Sequence, residues 1–351
     1  MIRARRSRAM ALVLVGLALA AAVGCSNKAE TNTTTNPPAT TPGGSAPATV
    51  NGTINLVAYS TPQTAYEAIE KQFKSEGNDV KINPSYGASG DQSRAVEQGQ
   101  AADYVAFSLE TDMTRLVKAK VVADDWNKNQ YKGMVTDSVV VFVVRKDNPK
   151  GIKTWDDLTK PGVEIVTPNP FSSGAARWNI LAGYGAKSNK GKDQAAGTAY
   201  LKSFFDNVVV QDDSGRKALQ TFTGGKGDVL LSYENEAIFA QQKGEQIDYV
   251  VPDDTILIEN PVAVTTNSAN PTAAKGWLAY LYTPEAQKIF ADNGYRPVVK
   301  GVVPDSQFPT PKGLFTIVDL GGWDSVTKTF FDANTGIVTQ IEKDKGVATS
   351  K

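Results

Sequence analysis

The stretch GVEIVTPNPFSSGAARWNILAGYG, residues 162–185, predicts a strand, a tight loop and a helix in direct succession. Its β-branched beginning, GVEIVT, is typical of a buried strand. After the loop, apolar residues from Trp178 to Gly185 recur at the spacing of one helix face. The loop itself contains two serines and a glycine but no acid. We therefore expect Ser172 or Ser173 to cap a helix whose first turn carries no negative charge.

Strand-like and helical segments alternate along the rest of the chain. INLVAY precedes AYEAIEKQFKSEG, VKINPSYG precedes DQSRAVEQGQ, and DVLLSY precedes ENEAIFAQQKG. This alternation predicts an α/β fold with mostly parallel sheets flanked by helices. Because ligands of open α/β sheets bind outside the carboxyl ends of the strands, the loops that follow strands are the candidate binding elements.

The first 52 residues have a different composition. Four arginines precede an apolar run at residues 10–23, which is too short for a membrane span, so residues 1–24 are predicted to be an export signal. The run ends at Cys25, where the sequence resembles a bacterial lipobox, and we expect lipid attachment to that thiol. Residues 25–52 are rich in Thr and Pro and are predicted to form a disordered tether, so the protein would be anchored to the outer face of the cell membrane.

The composition excludes several classes of function. The chain contains no histidine and a single cysteine, so it has no Ser-His or Cys-His nucleophile pair, no internal disulfide and no Cys-based zinc site. Removing the four signal arginines from 37 basic residues leaves 33 against 37 acidic ones, a net charge near −4, which does not favour nucleic acid. Neither a cofactor nor a metal is expected. A serine-dependent surface hydrolase that uses Ser173 remains the rival from another class.

About 300 residues remain after the tether, more than one hydrophobic core usually holds. We therefore predict two lobes. Lobe 1 would comprise residues 53–138 and 256–351, and lobe 2 residues 139–255. The strand-like SVVVFVVRK, which begins at Ser138, would cross from one lobe to the other.

Two strand-to-helix loops share the same design. In SYGASGDQ, Ser89 and Gln92 have the spacing of a capping box, so Ser89 is the predicted N-cap of its helix. This helix start and the one at Ser173 are expected to lie in different lobes and to direct their free N–H groups at one point. A third such loop contains Gly215, and Tyr233 ends a further strand. The pattern predicts an anion site in the cleft between the lobes.

Several segments together resemble the sulfate-binding proteins of ABC importers. They are GASGDQ, VVRKDNPKGIKTWDDLTKPGVEIVTPNPFSSGAARWN, GDVLLSYENEA and GYRPV, within residues 54–332. The resemblance implies a type II periplasmic-binding-protein fold, with two α/β lobes that close on an oxyanion. It also implies delivery of sulfate to a membrane permease driven by an ATPase.

The resemblance also implies a set of ligand contacts. Ala175 replaces the second glycine of the family's Ser-Gly-Gly run, Tyr233 replaces a tryptophan, and Ser60 stands where many relatives carry an aspartate. Since a tyrosine hydroxyl can accept as well as donate, thiosulfate, molybdate and phosphate remain open as alternative ligands. Gly90 and Arg177 are expected just behind the ligand contacts. The implied contacts are Ser60, Ser89, Ser173, Gly174, Ala175, Gly215 and Tyr233.

Overall fold

The computed structural model describes residues 49–349 of the 351-residue chain. The predicted export signal, Cys25 and most of the predicted tether lie outside the described residues. Within them the α/β fold is confirmed. The first strand begins at Asn51, two residues before the predicted start of lobe 1.

Ten strands form one sheet in the described part of the chain, and most of them are short. They are β1 (Asn51–Tyr59), β2 (Asp79–Gly87), β3 (Tyr104–Ala106), β4 (Met134–Arg145), β5 (Ile165–Pro168), β6 (Val208–Asp212), β7 (Val229–Tyr233), β8 (Ile247–Val250), β9 (Leu257–Val264) and β10 (Arg296–Pro297).

Helices follow most of these strands directly. None of the helices within residues 49–349 is long and apolar enough to cross a bilayer. They are α1 (Gln63–Ser75), α2 (Ser89–Glu97), α3 (Glu110–Lys118), α4 (Gly174–Lys187), α5 (Gln194–Asp206), α6 (Gly215–Thr223), α7 (Glu234–Gln242), α8 (Pro271–Tyr280), α9 (Pro284–Asp292), α10 (Gly322–Phe331) and α11 (Ile337–Asp344), with short 3₁₀ turns at Trp155–Thr159, Asp305–Gln307 and Ile317–Leu320.

The sheet has the strand order β2-β1-β3-β9-β4-β7-β5-β6, with β8 and β10 also paired to β4. We call β2, β1, β3 and β9, with helices α1 to α3, the first half. We call β4, β7, β5, β6 and β8, with helices α4 to α7, the second half. In each half three strands run parallel, β1 with β2 and β3, and β5 with β6 and β7. The division into two lobes at the expected boundaries stays a prediction.

Strand β4 joins the halves because its two ends pair with different strands. Up to Val139 it pairs with β9, and from Val140 onward it pairs with β7. Its side chains alternate between two cores, with Phe142 in one and Val141 in the other, as the two-residue period of a strand requires. The crossover predicted from SVVVFVVRK is therefore present.

The C-terminal helices pack on the second half, whereas the predicted division placed residues 256–351 entirely in lobe 1. The Trp323 ring of α10 lies 4.8 Å from the Trp178 ring of α4, and Phe330 lies 4.6 Å from Tyr184. The apolar face of α11 belongs to the same core. This part of the predicted boundary is wrong, because burial of the large aromatic side chains of α10 requires the wall that α4 provides.

Candidate functional site

A small cavity lies where the two halves meet. Five loops surround it, and each leads from the end of a strand to the start of a helix, namely α1, α2, α3, α4 and α6. This is the edge at which ligands of open α/β sheets bind. The lining residues are Tyr59, Ser60, Thr61, Ala88, Ser89, Ser108, Ser173, Gly174, Ala175, Ser214 and Gly215.

Six of the seven ligand contacts that the resemblance implies are residues in the lining of this cavity. The exception is Tyr233, whose side chain is fully buried. Its hydroxyl lies 2.5 Å from the Ser108 Oγ, and Ser108 does line the cavity. Burial raises the pKa of Tyr233 well above its ordinary value, so the hydroxyl keeps its proton at neutral pH. Tyr233 is thus one hydrogen bond removed from the cavity.

The start of α4 presents unused hydrogen-bond donors. Ser173 is the N-cap, as predicted, but its hydroxyl makes no capping hydrogen bond. Its own N–H donates to the Asn169 carbonyl at 2.9 Å. The next amides, on Gly174 and Ala175, have no acceptor within the helix, and the first turn carries no acid. These groups and the positive end of the helix dipole favour an anion in the cavity.

The start of α6 lies beside that of α4. Ser214 caps α6 by accepting from the Lys217 N–H, and Gly215 is the first helical residue. A Cβ placed on Gly215 would lie 3.5 Å from the Cβ of Ala175, so the two helix starts are in contact. Their dipoles therefore reinforce each other at the cavity.

The predicted capping box at α2 is wrong. The N-cap is Ala88, and Ser89 is already the first helical residue. The Ser89 hydroxyl instead donates to the Asp112 Oδ2 at 2.7 Å and accepts from the Ser108 N–H at 2.9 Å. Gln92 bonds to Ser85 at 3.1 Å rather than to the cap. A capping serine accepts from an amide of its own helix, but the Ser89 Oγ accepts from the Ser108 N–H, and its proton goes to the buried Asp112 carboxylate, a strong acceptor.

Several hydrogen bonds connect the two halves around the cavity. The Gly90 N–H donates to the Ser172 carbonyl at 3.1 Å, and a Cβ on Gly90 would lie only 2.9 Å from that oxygen. The Trp178 Nε1 donates to the Ser108 carbonyl at 2.8 Å. The two helix starts that the sequence assigned to different lobes are therefore brought together, and Gly90 is needed where they touch.

Arg177 supports the loop before α4 rather than lining the cavity. Its Nε donates to the Pro170 carbonyl at 2.9 Å, and its guanidinium lies over the Phe331 ring at 4.6 Å. Burial lowers the pKa of Arg177 to about 10, with Asp112 acting in the opposite direction, so it remains charged at neutral pH. These contacts fix the turn from which Ser173 is presented.

No side chain that lines the cavity carries a formal charge at neutral pH. The nearby Arg216 is held by the buried carboxylate of Glu236 at 2.8 Å, and it also donates to the Thr61 carbonyl at 2.9 Å. Burial alone would lower the pKa of Arg216, but the charge of Glu236 raises it, so the pair is ionised. The attraction for an anion therefore comes from amides, hydroxyls and helix dipoles.

Sequence reasoning missed some of the lining residues. Ser108 and Thr61 each lie between the end of a strand and the start of a helix, a signal that the sequence already contains. Neither loop has a Ser-Gly pair, which is the feature that identified the loops before α2, α4 and α6 in the sequence. As for metals, no cluster of three or more Cys, Asp or Glu side chains suited to an ion occurs within residues 49–349.

Comparison with known proteins gives consistent matches over both halves. The profile of the family described as bacterial extracellular solute-binding protein matches residues 54–296. A sulfate-binding protein of Synechococcus elongatus is 43% identical over 291 residues, which cover 79% of this chain and 83% of that protein. A thiosulfate-binding protein of Escherichia coli is 36% identical over 294 residues, which cover 78% of this chain and 86% of that protein.

One solved structure is similar in both sequence and fold. The sulfate-binding protein SubI from Mycobacterium tuberculosis has 46% sequence identity and a TM-score of 0.78. The match covers 80% of this chain and 99% of that one. The strand-to-helix loops of both halves thus fall in a region where sequence and fold agree with known proteins.

Proposed function

Because this chain belongs to the family of bacterial extracellular solute-binding proteins, we propose that it is the sulfate receptor of an ABC importer. It would bind the ion outside the cytoplasm and deliver it to a membrane permease driven by an ATPase. The observation that carries the proposal is the cavity enclosed by the starts of α4 and α6, lined by hydroxyls and amides but by no charged side chain.

Donors of this kind suit an oxyanion that carries no proton. Sulfate is fully ionised at neutral pH and only accepts hydrogen bonds. Each hydrogen bond to a charged group contributes about 1.5–3 kcal/mol, so about six of them would exceed the cost of association and give micromolar or tighter binding. A hydrogen phosphate ion also needs an acceptor, and no carboxylate is among the lining residues.

Thiosulfate is the second candidate, favoured by the 36% identity to a thiosulfate-binding protein. It is also a tetrahedral dianion, so the same donors suit it. Calorimetric titration of the mature protein with sulfate, thiosulfate, molybdate and phosphate separates the candidates. We expect sulfate to bind at a 1:1 ratio and at least 100-fold more tightly than phosphate. Phosphate binding as tight as that of sulfate would contradict the proposal.

We expect no enzymatic turnover. A serine hydrolase that uses Ser173 would need a general base to activate the hydroxyl, and the chain has no histidine. Within residues 49–349, the Ser173 hydroxyl caps no amide of α4 and is given no carboxylate or amine that would act as a base. Sustained hydrolysis of ester substrates by the wild-type protein, abolished in a Ser173→Ala variant, would overturn this part of the proposal.

We also propose that the exported protein is anchored by lipid on Cys25, which lies outside the described residues. The support is the position of the only cysteine directly after the apolar run. Expression in a bacterial host with labelled palmitate tests it. Wild-type protein should incorporate the label and sediment with membranes, whereas Cys25→Ser should not. Equal labelling of both proteins would contradict the anchor.

A further inference from the structure

We propose that Ser108 donates its hydroxyl proton to the bound oxyanion, and that Tyr233 and Asn260 fix the direction of that donation. The inference rests on the proposed function, because it assumes that the cavity holds an oxyanion. It assigns a ligand-binding role to Ser108 and a positioning role to the other two residues.

Ser108 has the right place for such a contact. It lines the cavity from the first half, directly before α3. A Cβ placed on Gly174 would lie 2.5 Å from the Ser108 Oγ, so this oxygen faces the very start of α4. An anion bound by the first amides of α4 therefore lies within reach of the Ser108 hydroxyl.

The other partner of the Ser108 hydroxyl is Tyr233. The two oxygens lie 2.5 Å apart, and one of the two hydroxyl protons must lie between them. If Ser108 donated to Tyr233, it would show only lone pairs to the cavity, which an oxyanion would repel. If Tyr233 donates, the Ser108 proton remains available for the ligand. The direction of this one hydrogen bond thus decides whether Ser108 attracts or repels an anion.

Asn260, on β9, sets that direction. Its Oδ1 accepts from the Thr136 hydroxyl at 3.2 Å, and its buried Nδ2 has no hydrogen-bond partner in the described part of the chain. Burial raises the pKa of Tyr233, and the Asn260 side chain lies near enough to its hydroxyl to lower that pKa. Because this unpaired Nδ2 can only donate, it favours the arrangement in which the Tyr233 oxygen turns a lone pair toward Asn260 and directs its own proton elsewhere. The Ser108 Oγ is the acceptor within reach.

Two neighbouring donors at this end of the cavity are already used in hydrogen bonds within the protein, and so are not available to a ligand. The Ser108 N–H is used by the Ser89 Oγ, and the Ser89 hydroxyl proton is used by Asp112. In this corner Ser108 therefore contributes a single side-chain donor of fixed direction. A fixed donor favours an oxyanion without protons over one whose own hydroxyl needs an acceptor.

The first test compares three variants by calorimetry with sulfate. Ser108→Ala should weaken binding by about 10- to 100-fold, as expected for loss of a hydrogen bond to a charged group. Tyr233→Phe keeps the ring but frees Ser108 to rotate, so it should weaken binding by about 3- to 10-fold. The double variant should bind no more weakly than Ser108→Ala, because Tyr233 acts through Ser108. The inference would be overturned if Ser108→Ala bound sulfate with wild-type affinity. It would also be overturned if the affinity loss of the double variant equalled the product of the losses in the two single variants.

The second test measures selectivity, which a purely structural role of Tyr233 would not change. In Tyr233→Phe the Ser108 hydroxyl can also accept, so the ratio of sulfate to phosphate affinity should fall by about tenfold. An unchanged ratio would show that Tyr233 does not direct the donor.

Ser93→Ala is the matched control for Ser108→Ala. Ser93 is a buried serine of α2 whose hydroxyl donates to the Asp112 carbonyl at 2.7 Å, outside the cavity. It should lose stability but keep its sulfate affinity, and an equal affinity loss would contradict a specific role of Ser108. The wild-type titration separates the two proposals: absence of sulfate binding refutes the receptor, whereas binding that is insensitive to Ser108→Ala refutes only this inference.

Discussion

The two halves of the sheet contribute to the cavity in different ways. In the second half, α4 and α6 carry no acid in their first turns, and the Ser173 hydroxyl makes no capping bond. In the first half, α2 and α3 begin with acids, Asp91 in α2 and Glu110 and Asp112 in α3. The starts of α2 and α3 therefore carry acids that the starts of α4 and α6 lack, whereas α1 in the first half also begins without an acid.

The acids of the first half are held in local contacts. Asp91 pairs with Arg94, and Asp112 pairs with Arg115 at 3.2 Å while it accepts from Ser89. Such pairs keep negative charge away from the cavity and fix the serines around it. The second half offers backbone amides without an acceptor in their helix. The first half offers serine hydroxyls whose direction is fixed by hydrogen bonds. We infer that the second half supplies most of the attraction and the first half most of the selectivity.

We expect the largest effect from a substitution that adds an acid to the start of α4, which is otherwise free of acids. Ser173→Asp should weaken sulfate binding by at least 1,000-fold, because two like charges about 4 Å apart repel by about 4 kcal/mol at an effective dielectric constant of about 20. Helix α4 should remain folded, since Asp is a good N-cap. Calorimetry measures the affinity and circular dichroism the fold.

Thr283→Asp is the control for this change. Thr283 caps α9, away from the cavity, by accepting from the Ala286 N–H. The same substitution there should leave sulfate affinity unchanged. A Ser173→Asp protein that still binds sulfate with wild-type affinity would remove the start of α4 from the site.

The next effect concerns how closely the halves approach. A Cβ on Gly174 would lie 2.5 Å from the Ser108 Oγ and 2.7 Å from the Leu109 Cγ, both in the first half. Gly174→Ala should therefore weaken sulfate binding by about 10- to 100-fold, the range expected for overpacking by one methyl group. Gly215→Ala makes the same change at the start of α6, where the nearest atom would be 3.4 Å away. It should cost about threefold or less, and equal losses would contradict the steric argument.

A smaller effect concerns the strands that join the halves. Asp137 on β4 lies opposite Glu259 on β9 and Arg296 on β10. Burial, together with the charge of Glu259, raises the pKa of Asp137 to about 7, although Arg296 lowers it. The folded protein thus holds a proton that the unfolded chain loses near pH 4. Ionisation of Asp137 should therefore reduce stability progressively as the pH rises from about 4 to 7.

Replacing Asp137 by Asn isolates this contribution. The free energy of unfolding of Asp137→Asn, minus that of the wild type, should rise by about 2 kcal/mol between pH 5 and 8. Denaturant unfolding at several pH values measures it. Asp124→Asn, at an exposed carboxylate, is the control and should show no such rise. A constant difference for Asp137→Asn would mean that this carboxyl titrates normally.

The smallest expected effect is that of pH on affinity. Sulfate carries no proton near neutrality, and Tyr59 is the one lining residue with an ionisable side chain. Burial raises the pKa of Tyr59, so it stays neutral. Sulfate affinity at constant ionic strength should therefore change by less than about threefold between pH 5.5 and 8. A tenfold change that disappears in Asp137→Asn would show that the joining strands are coupled to binding.

The sequence predicts the fold and much of the cavity because both have local signals. A β-branched run followed by a Ser-Gly loop and a helical period identifies the starts of α4 and α6 wherever the chain places them. The crossover of β4 was also predictable, since a long β-branched run between two sets of elements indicates a strand that serves both.

What the sequence could not predict depends on distant residues. Ser89 does not cap α2, because its Oγ accepts from the N–H of Ser108, which follows it by 19 residues. Helix α10 packs on the second half because Trp323 meets Trp178, a contact with no local signal. Ser108 was missed because its loop has no glycine and only the folded sheet shows that it faces α4. Local patterns thus predict which groups are available, and tertiary contacts decide which of them face the cavity.

We propose that donors from both halves hold one oxyanion. A crystal structure with selenate, whose selenium gives an anomalous signal, tests it most directly. We predict a single strong peak in the cavity, with selenate oxygens within about 3.2 Å of the Gly174 and Gly215 N–H groups and of the Ser108 hydroxyl. A peak elsewhere, or contacts from the second half alone, would mean that the two halves do not share one ligand.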